Sequence, residues 1–286
     1  LEGADLVEAA AKRARDRTDR KRLLGLSRQI STGVNSEIHA IAQSGELEVL
    51  MATYPDRSAA TQYDPPSRVV VDRPAALIGA WYEFFPRSAE GHGDRGSTFR
   101  DCLPRVDDAK AMGFDVLYFP PIHPIGETSR KGRNNAVTCE PGDPGVPWAI
   151  GGETGGHKTV EPSLGTLEDF DWLQKEVHKR GMEIALDFAI NCSPDHPYVK
   201  EHPEWFYKRP DGTIKFAENP PKKYEDIYPI NFRCENWRDL WAEMKSIVLF
   251  WAERGVRIFR VDNPHTKPVA FWEYLIEGVR KKYPDA

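Results

Sequence analysis

The chain of 286 residues carries 39 Lys and Arg against 44 Asp and Glu, a formal net charge of −5, with 40% apolar and 11% aromatic residues. Such a length fits one large domain or two, and such a composition belongs to a globular chain, so wholesale disorder is excluded. The mild acidity gives no long-range attraction to nucleic acid or anionic membrane, and no apolar run approaches the roughly 18 residues of a membrane-spanning helix.

The opening Leu-Glu-Gly-Ala-Asp lacks the basic start and apolar run of a secretory signal, which points to an intracellular, cytoplasmic protein. Four scattered cysteines without a Cys-x-x-Cys pair are expected as free thiols, in neither a disulfide framework nor a zinc site. Residues 5–28 are predicted as one helix, with Leu6, Ala10 and Ala14 at helical spacing and eight basic residues between Lys12 and Arg28. No aromatic residue is interleaved with those charges, as a base-stacking surface would need, so the basic face reads as solvated. A second helix is expected over 35–42.

From residue 68 the pattern turns to strands, first 68–72 and then 80–86. An alternation follows: helix 98–112, strand 114–121, helix 167–180, strand 182–188, helix 237–254, strand 256–262 and a terminal helix over 267–282. Gly113, Gly181 and Gly255 each stand between a helix and its strand, the expected stop signal. Strands alternating with helices imply a parallel sheet, because parallel neighbours need a crossover connection. The expected fold class is α/β: residues 80–286 form the first half of a (β/α)8 TIM barrel, preceded by a helical segment. Long inserts over 122–165 and 191–236 follow strands 2 and 3, at the strand ends where such folds build their sites.

Arg260 and Asp262 lie two apart on a strand and face the same way. A guanidinium within about 4 to 6 Å of a carboxylate favours its charged form. Taken alone, the pair reads equally well as a nucleophile with its cation or as an ion pair that stabilises the sheet. Asp187, ending the neighbouring strand, tips the reading toward a site, since carboxylates at adjacent strand ends converge on one cavity. No His-Glu-x-x-His motif is present, and His123, His196 and His202 stand beside prolines in loops, so neither a metal nor another cofactor is expected.

Three segments carry a family resemblance: residues 80–88 (Ala-Trp-Tyr-Glu-Phe-Phe-Pro-Arg-Ser), 187–197 (Asp-Phe-Ala-Ile-Asn-Cys-Ser-Pro-Asp-His-Pro) and 255–268 (Gly-Val-Arg-Ile-Phe-Arg-Val-Asp-Asn-Pro-His-Thr-Lys-Pro). With Pro-Ser-Leu-Gly-Thr at 162–166 between them, they resemble the α-amylase superfamily and, within it, the bacterial α-1,4-glucan:maltose-1-phosphate maltosyltransferases. The resemblance runs from about residue 69 to the end. Cys192 replaces the superfamily's usual histidine after Asn191, a departure typical of the maltosyltransferases.

The resemblance implies a retaining mechanism. Asp262 is then the nucleophile that forms a β-linked maltosyl-enzyme, Arg260 its charge partner and Asp187 a support acting through Arg260. It implies α-maltose 1-phosphate as donor and the non-reducing end of an α-1,4-glucan as acceptor, in glycogen-type glucan synthesis. It assigns Lys131, Asn191, Asn219, Lys222, Tyr224, Asn263 and His265 to substrate binding; considered alone, Lys222 reads as solvated and Tyr224 as a packing aromatic. Retention needs a second carboxyl about 5 to 5.5 Å from the nucleophile. The family's glutamate after the fifth strand and its aspartate after the seventh both fall beyond this sequence. Residues 1–68 resemble the family's helical segment, which takes part in homodimer contacts, and 69–79 the last strand of its N-terminal sandwich domain, so the chain is expected to be cut at both ends. Another retaining enzyme of the superfamily, or a non-catalytic glucan-binding protein on the same fold, stands as the alternative.

Overall fold

The structure is a computed structural model and describes residues 2–67, 69–90 and 96–286. It divides into two units, 1–70 and 71–286.

Among the described residues the first unit contains four helices, α1 (Glu2–Arg13), α2 (Arg17–Thr32), α3 (Asn35–Ala42) and α4 (Gly45–Thr53). The single helix expected over 5–28 is interrupted at Asp16. Its carboxylate accepts from the N–H groups of Thr18 and Asp19 at 2.7 and 2.9 Å and so caps α2. Ala4, Val7, Ala10, Ala11 and Ala14 pack with Leu23, Leu26, Ile30, Leu47 and Leu50. Leu6, expected on the inner stripe, is 59% exposed, because the buried stripe steps through 4, 7, 11 and 14 at spacings of three and four.

The strand expected over 68–72 does not form, and no strand lies in 69–79. Arg68 lies outside the described residues; Val69, Val70 and Val71 are exposed, and a 3-10 turn at Pro74–Ala76 follows. Strand backbone needs a laddered neighbour for its N–H and C=O groups, and among the described residues this segment pairs with none.

In the second unit the first three strands are β1 (Trp81–Glu83), β2 (Val116–Phe119) and β3 (Glu183–Phe188). The second insert adds β4 (Asn191–Cys192), β5 (Ala217–Asn219), β6 (Lys222–Tyr224) and β7 (Tyr228–Pro229), and β8 (Ile258–Val261) follows it. The main sheet runs β1-β2-β3-β8, parallel throughout, while β4 pairs with β7 and β5 with β6 in antiparallel ladders. The helices are α5 (Leu103–Ala111), α6 (Leu167–Lys179), the short α7 (Pro197–Glu201), α8 (Trp237–Glu253) and α9 (Val269–Lys282). Gly113, Gly181 and Gly255 take φ of +89°, +68° and +100°, the left-handed geometry that closes a helix before the strand. Among the described residues no helix is long and apolar enough to cross a membrane.

The strand period of two sorts the sheet's faces. Leu117, Phe119, Ile184, Leu186 and Phe188 join Phe170, Leu173, Leu240, Trp251 and Phe271 in the helix-covered core. The opposite face carries Val116, Tyr118, Ala185 and Ile258, with Asp187 and Arg260 next along β3 and β8 and in register with each other. This is the inward face of a partial (β/α) barrel; among the described residues the sheet stays open, with β1 and β8 at its edges.

Candidate active site

Asp262 directly follows β8 and prolongs its ladder, its N–H donating to the carbonyl of Phe188 at 3.2 Å. Asn263 then turns through φ 47°, ψ 52°, a left-handed conformation that asparagine tolerates, into the 3-10 turn Pro264–Thr266. The turn lets Asn263 Nδ2 donate to Asp262 Oδ2 at 3.0 Å. Arg260 Nη1 donates to Asp262 Oδ1 at 2.8 Å and to Asp187 Oδ2 at 3.0 Å. The Tyr118 hydroxyl donates to the same Asp187 oxygen at 2.5 Å. One guanidinium nitrogen thus ties two carboxylates, and each oxygen of Asp262 has one donor fixing its direction.

The two carboxylates have different surroundings. Asp187 is buried, and burial pushes its carboxyl up to about 6, against the opposing pull of the Tyr118 hydroxyl and Arg260. Its Oδ1 has no hydrogen bond of normal geometry, and the Trp148 indole stands near enough to ease the charge slightly. Asp262 is half-buried and lines a cavity of about 830 Å³. Asp262 is thus the more accessible of the two carboxylates, and Asp187 the buried one bonded to the same guanidinium nitrogen.

Six of the residues singled out in the sequence line this cavity. Asn191 comes from β4, Asn219 and Tyr224 from the β5–β6 hairpin, and Asp262, Asn263 and His265 from the turn after β8. Arg260 and Asp187 lie beneath it. Lys131 and Lys222 do not line it: Lys131 is buried and bonds Glu225 at 2.9 Å, the counter-ion a desolvated ammonium requires, and Lys222 is exposed on the hairpin. Three contributors escaped the sequence reading. Tyr118 lies two positions from Pro120 on the inward face of β2, a signal the strand period carries. Asp226, buried with an unpaired Oδ1, and Lys267 both line the cavity; for Asp226 nothing local announces the role.

A His-Cys-His group also required a metal-binding test. Ligand atoms of His157, Cys192 and His196 all lie within 4.8 Å of one another, and all three residues are buried. The ring nitrogens are already used. His157 Nε2 lies 2.9 Å from the Ala189 carbonyl and its Nδ1 3.1 Å from His196 Nε2, while His196 Nδ1 accepts from the Tyr198 N–H at 3.0 Å. One assignment satisfies every contact: both rings neutral with their protons on Nε2. Burial also holds the Cys192 thiol well above its usual range, so this donor set is a closed hydrogen-bonded chain and a poor fit to a metal.

A parallel (β/α) sheet with acidic strand ends, joined through one arginine, defines the class: an α-amylase-type catalytic domain, and the family model for that domain matches residues 84–274. Residues 1–73 match the model for domain N/S of α-1,4-glucan:maltose-1-phosphate maltosyltransferase. A protein of that name from Myxococcus xanthus is 51% identical over 287 residues, covering 99% of this chain and 43% of its own length. One from Rhodospirillum rubrum is 51% identical over 290 residues, covering 100% and 42%. Among solved structures, an α-amylase from Lactobacillus plantarum aligns with a TM-score of 0.59 at 29% identity, over 72% of this chain and 43% of that one. The chain belongs to the α-1,4-glucan:maltose-1-phosphate maltosyltransferase family of the α-amylase superfamily, and spans under half the length of these relatives.

Proposed function

We propose that the chain carries the donor-side half of a retaining maltosyl transfer, from α-maltose 1-phosphate to the non-reducing end of an α-1,4-glucan in glycogen-type synthesis. An oxygen of Asp262 attacks the anomeric carbon as the C1–O bond to phosphate breaks, the bonding pair leaving with the phosphate. The intermediate is a β-maltosyl ester of Asp262. The glucan 4-hydroxyl attacks the same carbon from the opposite face, freeing the carboxylate and restoring the α configuration. The second carboxyl that retention requires, which we assign to a glutamate outside these 286 residues, gives its proton to the departing phosphate oxygen and takes one back from that hydroxyl.

In this reading Arg260 and Asn263 orient Asp262, Asp187 positions Arg260, and Asn191, Asn219, Tyr224 and His265 contact the donor. Lys131 and Lys222 are assigned to the charge balance of the second insert. A homodimer formed through residues 1–68 and a cytoplasmic location belong to the same proposal. The observation that carries the reading is Asp262, held on both oxygens by Arg260 and Asn263 in the wall of the cavity.

The test uses the full-length protein with 2-deoxy-2-fluoro-α-maltosyl fluoride, followed by digestion and mass spectrometry. The label is expected on the peptide bearing Asp262, and Asp262→Ala should retain under about a hundredth of acceptor-dependent phosphate release. Label on a different carboxylate, or undiminished release from Asp262→Ala, rejects the reading.

A further inference from the structure

The hold on Asp262 is only as firm as the charge on Asp187, because Arg260 spans the two carboxylates with a single nitrogen. The Asp187 side chain is fully buried, and among the described residues its donors of normal geometry both meet on Oδ2. Burial raises it to about 6, so its charged and neutral forms lie close together near neutral pH. A neutral Asp187 attracts the guanidinium far less. Arg260 would then close on Asp262 alone and draw electron density from the oxygen that has to attack.

Tyr118 acts on that balance from two sides. It stands on the inward face of β2 opposite Ala185, and Asp187 is the next residue along that face of β3. The methyl of Ala185 leaves the phenol room to lean along the sheet, and its hydroxyl donates to Asp187 Oδ2 at 2.5 Å. The Arg260 guanidinium carbon lies 5.6 Å from the centre of the Tyr118 ring, within cation–π range. Burial and then the charge of Asp187 push the hydroxyl well above the ordinary phenol range, so it remains a donor; Glu83 of β1, in register with Tyr118, adds to that push. Among the described residues the other groups facing Asp187 are Arg260 and Asp262 from the end of β8 and the Trp148 indole from the first insert.

We propose that Tyr118 is a positioning residue for the transfer: by donating to Asp187 and lying against Arg260 it holds the guanidinium between its two carboxylates and leaves Asp262 free to attack. The role rests on the reading of Asp262 as nucleophile above. Tyr118 is absent from the described residues that line the donor cavity, so it acts only through Asp187 and Arg260. It makes and breaks no covalent bond and gives up no proton.

The experiment follows kcat and KM for α-maltosyl fluoride, a donor with no group of its own titrating near neutrality, between about pH 5 and about pH 8. It compares the full-length wild type with Tyr118→Phe and with Tyr118→3-fluorotyrosine, whose hydroxyl is the stronger donor. Wild-type kcat is expected to fall on the acid side with a midpoint near 6, where Asp187 takes up its proton. Tyr118→Phe should move that midpoint to about 7, the loss of one hydrogen bond to a charged group. Its kcat would then be roughly threefold below wild type at about pH 6.5 and return nearly to the wild-type value by about pH 8, with KM changed less than about twofold. Tyr118→3-fluorotyrosine should move the midpoint below the wild-type one, and because it adds a single fluorine atom it keeps the test valid if the phenylalanine variant does not fold. A loss of kcat equal at every pH would show that Tyr118 only packs the sheet, and an acid limb that stays in place, or moves the same way in both variants, would show that its hydroxyl does not govern Asp187; each overturns the inference. A wild type that does not consume the fluoride would overturn the Asp262 reading itself.

Discussion

Three buried histidines give the second unit an acid sensitivity whose size can be worked out. His123, His157 and His196 are each pushed down to about 3 by burial first, and then by the adjacent ring, from the ordinary 6.5. The folded-state value is below the unfolded one, so the unfolded chain takes up protons that the folded chain refuses. Stability is therefore full above about 6.5 and is lost as pH falls from there toward 3, at up to roughly 1.4 kcal/mol per pH unit for each ring. Between pH 7 and pH 5 the linkage integral comes to roughly 2 kcal/mol per ring, about 6 kcal/mol for three. Asp187 works in the opposite direction. Its folded value of about 6 lies above the unfolded 3.8, so it returns roughly 1 kcal/mol over the same interval. The expected net loss is roughly 4 to 5 kcal/mol. Urea denaturation of the full-length protein at the two pH values measures it. His196→Asn provides the control, because asparagine can still cap α7, where the imidazole accepts from the Tyr198 N–H. That variant should lose roughly 2 kcal/mol less between pH 7 and pH 5 than wild type. Equal wild-type stability at both pH values, or an undiminished drop in His196→Asn, would refute the burial argument.

The same region makes Gly151 irreplaceable: its φ is +104°, and a Cβ there would lie 2.3 Å from His196 Cδ2. Gly151→Ala should cost at least about 3 kcal/mol, from a left-handed backbone and an overpacked ring together, and thermal unfolding that matched wild type would contradict the packing. Tyr118→Phe removes the 2.5 Å hydrogen bond to Asp187. It should destabilise by about 1 to 2 kcal/mol and raise the Asp187 carboxyl further, since a donor to its charged form is lost. A carbon-13 carboxyl titration reads that rise, and an unmoved Asp187 signal would mean that the hydroxyl does not govern its charge.

What the sequence discloses here is local orientation. Gly113, Gly181 and Gly255 mark helix ends because one residue's conformation decides them, and Arg260 and Asp262 share a face because a strand repeats every two residues. Asp187 follows from the same rule applied one strand earlier, and the register then sets it opposite Arg260. Asp16 also had a local signal, an aspartate before Arg-Thr-Asp, but the helical spacing on either side masked it. The 68–72 segment fails for the converse reason: its valines suit a strand, yet strand formation is decided by a neighbour that local composition does not specify.

The lysines show where local reading stops and why. Lys131 and Lys222 sit in inserts, and whether an insert side chain faces a cavity depends on how one long loop packs upon another. Glu225 captures Lys131 within one such packing, and no spacing rule relates residues 94 apart in the chain. Lys267 is five residues from Asp262, and its direction is decided by one left-handed asparagine and a single 3-10 turn. Its place in the cavity is thus as locally determined as that of Asp262, and Asn263 governs both, bonding the carboxylate through its amide and the ammonium through its carbonyl. A substitution at Asn263 that cannot hold φ near +47° should therefore disturb the Asp262 carboxylate and the Lys267 ammonium together.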